Sequence, residues 1–365
     1  MLPGSSKPPI SGSVPASGSI KVMLVDDSAI VRSLVGRILA EEPAITVAAQ
    51  ASNGEQAIAA LARTPVDVVV LDIEMPVMDG LTALPGILKA VPGVKVIMLS
   101  SLTQRGATVT FQALRAGAAD YIPKPSAGAD AGFKRELIDK IKSLAARRLR
   151  PATPAAAARP AAAIPPRPAA IPPSGPVEVL AIGSSTGGPQ ALFDIFAKLR
   201  TIKPRIPILI TQHMPPTFTG ILAEHIAQTS GLASAEGKDG EKIVAGRVYV
   251  APGGKHMLAE RKGGELLIKL SDAPPENFCK PAVDPMFRSV SAIWGNRAAA
   301  VVLTGMGTDG AKGGRVLAEA GGQLYAQDEA TCVVYGMPAA VAQTGLCKAI
   351  LPLGEIGELV RKLVS

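Results

Sequence analysis

The chain has 365 residues, room for two domains that each bury a core, which excludes a small scaffold dependent on staples. At 47% hydrophobic and 19% charged it is too apolar for a wholly disordered chain, yet it holds no uninterrupted apolar run long enough to span a membrane. The formal charge of +8 raises nucleic acid or a membrane surface as partners, but Lys7, Arg147, Arg148, Arg150, Arg159 and Arg167 supply most of it from segments without a folding pattern, so a folded basic face for DNA is disfavoured.

Residues 1–19 are rich in Pro, Gly and Ser and lack the apolar run that export requires, so a disordered tail on a cytoplasmic protein is expected. Residues 20–142 alternate short Val/Ile/Leu runs with helical stretches, the pattern of parallel strands joined by right-handed crossovers and hence of a doubly wound sheet. Residues 143–176 are expected to form a semi-rigid spacer, because the frequent prolines among alanines prevent a continuous helix and leave little to bury. The strand and helix alternation returns over residues 177–365 as a second α/β domain, interrupted by an antiparallel hairpin in HMLAERKGGELLIKLSD. Cys279, Cys332 and Cys347 have neither CxxC spacing nor a histidine cluster beside them and are read as reduced, structural thiols. His225, inside the helical stretch GILAEHIAQTS, is read as a solvated or capping residue.

Ligands of an open parallel sheet gather beyond the carboxyl ends of its strands, so polar residues that follow apolar runs are the candidates for chemistry. In the first domain these are Asp26 and Asp27, Asp72, Ser100 with Ser101, and Lys124. Three carboxylates drawn together repel unless a cation sits among them, and hard oxygen ligands suit Mg²⁺. Asp72 is then a candidate phosphoryl acceptor, with Lys124 offsetting charge and Ser100 offering a hydroxyl to the transferred group.

The segments VDDS, LDIEMPVMDG, MLSS and DYIPKP, in that order, resemble a response-regulator receiver domain. The resemblance implies a flavodoxin-like fold phosphorylated on Asp72 by a histidine kinase. It implies Asp27 and Asp72 as Mg²⁺ ligands, Asp26 acting through water, and Glu74 through its main-chain carbonyl. Ser100 would be the switch hydroxyl, in a place often held by Thr, with Lys124 the family's lysine and Tyr121 its switch aromatic.

In the second domain Gly183-Ser184-Ser185-Thr186-Gly187 follows an apolar strand and precedes a helix opening near Pro189, and it fits G-x-S-x-G centred on Ser185. Such a turn presents a serine hydroxyl at a helix N-terminus, where backbone N–H groups favour a developing oxyanion. A phosphate-binding loop is disfavoured, since neither G-x-G-x-x-G nor a G-K-[ST] ending is present. His213 follows the strand IPILITQ and Asp309 follows AAAVVLT, so both reach the carboxyl edge that carries Ser185, as base and orienting acid. The order Ser, His, Asp differs from that of α/β-hydrolases, so that fold is not implied.

IGSSTGGPQAL, TQHMPPTFT, VAPGGKHM, PAVDPMF, LTGMGTDG and CVVYGMP, in order, resemble the catalytic domain of the chemotaxis protein-glutamate methylesterases, the CheB family. Receiver, linker and this domain together reproduce that family's architecture. The resemblance implies Ser185, His213 and Asp309 as the triad, Thr186 beside the nucleophile and Met306 near the oxyanion site. It implies hydrolysis of glutamyl methyl esters on methyl-accepting chemotaxis receptors, deamidation of receptor glutamines, and inhibition by the unphosphorylated receiver. No cofactor is expected in this domain, and neither nucleic acid nor membrane insertion is expected of the chain. Ser184 stands where the family usually has Ala, so two adjacent hydroxyls compete; strand-to-turn alternation favours Ser185. A partner-binding output, a small-molecule esterase and a transcription factor are the rival readings, the last without any helix-turn-helix pattern.

Overall fold

The computed structural model describes residues 19–125, 131–148 and 176–365; the expected tail and most of the expected spacer lie outside the described residues. The first domain runs β1 (Ile20–Val25), α1 (Ala29–Ala40), β2 (Ile45–Ala51), α2 (Gly54–Leu61), β3 (Val68–Asp72), α3 (Gly80–Ala90), β4 (Lys95–Ser100), α4 (Gln104–Arg115), β5 (Asp120–Pro123) and α5 (Ala131–Arg148). Helix α5 continues past residue 142, where the spacer was expected to begin. The five strands are parallel in the order β2-β1-β3-β4-β5. Helices cover both faces of such a sheet, which is why a strand such as VVVLD is apolar almost throughout and wholly buried. Side chains of Ser28, Asn53, Asp79 and Thr103 accept backbone N–H bonds at the starts of α1 to α4 and so fix where these helices begin.

The second domain runs β6 (Val179–Ser184), α6 (Gly188–Ala197), β7 (Ile208–Gln212), α7 (Pro216–Ser230), β8 (Ala233–Glu236), β9 (Arg247–Val250), β10 (His256–Lys262), β11 (Glu265–Ser271), α8 (Val283–Trp294), β12 (Ala298–Val302), α9 (Ala311–Glu319), β13 (Gln323–Gln327), α10 (Met337–Ala342), β14 (Ala349–Leu351) and α11 (Leu353–Val364). Seven strands form a parallel sheet in the order β14-β13-β12-β6-β7-β9-β8, and β10 and β11 form the expected separate hairpin. Strand order reverses between β1 and β3 in the first sheet and between β6 and β12 in the second. Loops diverge at such points and open a crevice beyond the strand ends, which is where the candidate residues lie.

The two domains share an apolar seam made by α4 against α6 and α7. Phe111, fully buried on α4, meets the rings of Phe193 at 6.1 Å, Phe218 at 6.3 Å and His225 at 5.2 Å. Tyr121 stacks on Phe218 with ring centroids 4.4 Å apart. Gln190 closes the edge by donating to the Ala118 carbonyl at 2.7 Å. His225 is therefore not the solvated or capping residue expected: it is wedged among aromatic rings, and burial followed by the nearby Arg115 charge lowers its basicity.

Phe111→Ala should cost about 3–5 kcal/mol, as other large-to-small aromatic truncations do. A lower denaturation midpoint, together with a larger radius of gyration in solution scattering, is expected.

Candidate functional site

In the first domain the divergence of β1 and β3 brings Asp26, Asp27 and Asp72 together, with one carboxylate oxygen from each within 4.8 Å of the others. Asp26 and Asp72 are almost fully buried. Lys124, at the end of β5, reaches Asp72 at 2.7 Å and Asp26 at 3.6 Å. Burial pushes the Asp72 carboxyl up to about 6, opposed by the Lys124 hydrogen bond and assisted by repulsion from Asp26. Oδ2 of Asp26 is buried without a hydrogen-bond partner, so the cluster holds more negative charge than its protein donors satisfy. A hard divalent cation fits that deficit. The Glu74 side chain is exposed, and its backbone N–H approaches Asp72 at 3.4 Å.

Ser100 is fully buried, receives a hydrogen bond from Thr110 at 2.7 Å and donates to the Ser101 carbonyl. Its hydroxyl is thus engaged with α4 and its preceding turn. Tyr121 is held in the seam against Phe218 of the second domain. Asp72, Ser100 and Tyr121 therefore lie on β3, β4 and β5, three neighbouring strands that lead from the acidic cluster to the seam.

In the second domain Ser185 sits in the turn between β6 and α6. Its N–H donates to the Thr304 carbonyl at 3.0 Å, and its own carbonyl accepts from Gln212 at 2.9 Å and from Gly188 at 2.7 Å. Gly187 has φ +74°, and a Cβ there would meet Val333 at 2.5 Å, so both conformation and space demand glycine. Gly305 lies close enough that a Cβ on it would fall 2.8 Å from that of Ser185, which sets Met306, the next residue, beside the Ser185 turn. Thr186 is buried, and its carbonyl accepts from Thr304 at 2.9 Å. The hydroxyl of Ser184 is fully buried and donates to Gln212 at 2.6 Å, which separates the two adjacent serines by environment.

His213, at the end of β7, places Nε2 2.8 Å from Oδ2 of Asp309. Asp309 also accepts from the backbone N–H groups of Val283 at 2.6 Å and Asp284 at 3.0 Å, at the N-terminus of α8, and from Asn277 at 2.9 Å. Burial would raise its pKa, but the His213 ring and these amide donors outweigh it and hold the carboxyl below its ordinary value. Asp284, behind it, is raised by burial, with repulsion from Asp309 adding to the effect. Burial also opposes charge on the His213 ring, yet hydrogen bonds to Asp309 and then Cys279 push its pKa up to about 10. Nδ1 of His213 lies 3.3 Å from Sγ of Cys279. Among the described residues, the Ser185 hydroxyl makes no hydrogen bond to the ring.

Cys279, read from the sequence as a reduced, structural thiol, is a free cysteine whose Sγ faces the His213 ring. Asn277 and Phe278, just before it, both adopt left-handed backbone conformations, with φ of 52° and 65°. Neither the cysteine spacing nor hydrophobic periodicity carried a signal for this loop. Gln212, immediately before His213, was likewise missed, although its place at a strand end was legible.

A model described as CheB methylesterase matches residues 180–360, and one described as response regulator receiver domain matches residues 22–131. The chain is 54% identical to the protein-glutamate methylesterase/protein-glutamine glutaminase 1 of Paramagnetospirillum magneticum, over 96% of this chain and 98% of that one. It is also 54% identical to the similarly named Azospirillum brasilense protein, over 95% and 93% of the two chains. The crystal structure of the Thermotoga maritima CheB methylesterase catalytic domain, 39% identical, aligns over 52% of this chain and all of that one with a TM-score of 0.50. No described helix is long and apolar enough to cross a membrane. A receiver sheet and a methylesterase sheet on one chain, with near full-length relatives so named, place this chain in the protein-glutamate methylesterase/protein-glutamine glutaminase family.

Proposed function

We propose that this chain is a phosphorylation-regulated serine hydrolase that demethylates glutamyl methyl esters, and deamidates glutamines, on methyl-accepting chemotaxis receptors in the cytoplasm. The observation that carries the chemistry is the His213–Asp309 pair at 2.8 Å, with Asp309 buried, set beside the Ser185 turn where the strand order reverses. Asp309 holds Nε2–H of the ring, leaving Nδ1 as the nitrogen that takes the Ser185 proton. The Ser185 oxygen attacks the glutamyl carbonyl carbon, and the carbonyl oxygen takes the negative charge at the start of α6. Collapse breaks the bond to the methoxy group, which leaves as methanol with the proton from His213. Water then gives a proton to His213 and cleaves the acyl-serine, restoring the hydroxyl and releasing glutamate. With a glutamine side chain, ammonia leaves in place of methanol. Thr186 and Met306 flank the carbonyl site.

A chemosensory histidine kinase is the phosphodonor in this reading, and Asp72 the acceptor. Asp26, Asp27 and Asp72, with the Glu74 carbonyl, would hold Mg²⁺, which supplies charge neutralisation for phosphoryl transfer. Lys124 orients the Asp72 carboxylate, and Ser100 and Tyr121 carry its state toward the seam. Val334 of the second domain joins a buried cluster of receiver residues, and Met306 and Val333 pack against the same cluster. In this reading that packing covers the Ser185 turn. Phosphorylation weakens docking and shifts the population toward an open site.

Methanol release from methylated receptor should fall about 10⁶-fold in Ser185→Ala, as when the serine of a triad is lost. Release that survives in Ser185→Ala but vanishes in Ser184→Ala would reassign the nucleophile. Asp72→Asn should abolish stimulation by a small phosphodonor with Mg²⁺ while leaving the basal rate. A chain beginning at Val177 should exceed the unphosphorylated full chain in rate; equal rates would remove the covering role of the receiver.

A further inference from the structure

The loop that carries Cys279 touches both the ring of His213 and the receiver. Its first residue, Glu276, is anchored by paired hydrogen bonds from Arg288 on α8. Asn277 donates to Asp309 at 2.9 Å and to Asp284 at 3.0 Å. Reciprocal backbone bonds between Glu276 and Cys279, at 2.9 and 3.1 Å, close the four residues into one tight turn. Phe278 projects from that turn with 81% of its surface exposed, and the guanidinium of Arg135, on receiver helix α5, lies 3.9 Å from its ring centroid. Left-handed conformations at two consecutive non-glycine residues persist only where the surroundings impose them. Phe278 and Cys279 are thus adjacent members of one closed turn.

Cys279 occupies the nitrogen the reaction needs. With Nε2 committed to Asp309, only Nδ1 remains to accept the Ser185 proton. With Sγ of Cys279 accepting from Nδ1–H, the ring holds the proton it would otherwise take from Ser185. The ring is not a base toward Ser185 while the contact lasts. The groups facing the ring are Asp309 and Cys279, with Asp284 and Arg288 behind them, and the resulting pKa of about 10 agrees with a ring that keeps its proton at neutral pH.

We propose that Cys279 is a positioning residue that holds His213 away from Ser185, and that receiver residue Arg135 maintains this hold through Phe278. The inference rests on the reading of Ser185, His213 and Asp309 as the triad, and it adds to steric covering a second form of inhibition that acts on the base itself. When the receiver leaves, the cation–π contact with Phe278 is lost, the turn relaxes, and Nδ1 becomes available.

The test uses the full chain, without and with a small phosphodonor and Mg²⁺, and measures kcat, KM and the pH dependence of kcat/KM for methanol release. In the unphosphorylated chain, Cys279→Ala should raise kcat about tenfold with little change in KM and move the acid limb down by about one pH unit, as expected for loss of one charge-assisted hydrogen bond. Cys279→Ser, which keeps an acceptor, should restore much of the unsubstituted profile. Arg135→Ala and Phe278→Ala should raise kcat in the same direction, and the double variant Arg135→Ala/Cys279→Ala should gain nothing over Cys279→Ala alone. An acid limb unmoved in Cys279→Ala, a fall in kcat there, or effects of Arg135→Ala and Cys279→Ala that multiply would overturn the proposal. Ser185→Ala in the same assay separates the two readings: retained release removes the triad, whereas lost release with an unmoved Cys279→Ala profile removes only the role of Cys279.

Discussion

A carboxylate with about 1% of its surface exposed stays ionised only if the protein supplies the donors that water would have given, and Asp309 is that carboxylate here. Its donors come from separate stretches of chain: the ring of His213 after β7, two backbone amides at the start of α8, and the side chain of Asn277 in the loop before it. The anion therefore fixes the imidazole, the entry angle of α8 and the loop over the site in one set of contacts. Removing it leaves those donors without a partner, and replacing a donor leaves a buried charge short of compensation. The site is for this reason a property of the whole sheet edge rather than of any one motif.

The same constraint operates twice in the molecule, with opposite sign. In the second domain the buried anion is satisfied by donors and pairs with a histidine. In the first domain three carboxylates converge with one lysine, and Oδ2 of Asp26 remains buried without a hydrogen-bond partner, 3.6 Å from the Lys124 ammonium. The first arrangement leaves the buried carboxylate fully supplied with donors; the second leaves a deficit of positive charge that suits a cation. Both lie where strand order reverses, because only there do adjacent loops part and leave a crevice at the strand ends.

Between them runs a seam of rings and small hydrogen-bonded contacts. Phe111, Phe193, Phe218, Tyr121 and His225 pack on one another, and aromatic pairs of this kind contribute about 0.5–1.5 kcal/mol each beyond simple burial. Packed rings have few alternative arrangements, so the seam constrains where Tyr121 and α4 can sit. The ring of Phe278 under Arg135 lies outside this buried set, on a loop bound directly to His213 and Asp309.

Much of this molecule was legible in its sequence. Apolar runs ending in Asp26, Asp72, Ser100, Lys124, Ser185, His213 and Asp309 marked two parallel sheets and their functional edges, because side-chain periodicity and strand-end polarity are local properties of the chain. Motif order supplied the family resemblance, and the antiparallel hairpin was visible in its turn residues. What tertiary structure alone decided were meetings without a period or a spacing: Cys279 on His213 across 66 residues, His225 among the rings of a seam, Phe278 under Arg135, and the Ser184 hydroxyl bound to Gln212 while Ser185 lies in the turn. These depend on how sheets twist and domains dock, and a long-range contact between single side chains leaves no trace in the residues that flank each of them.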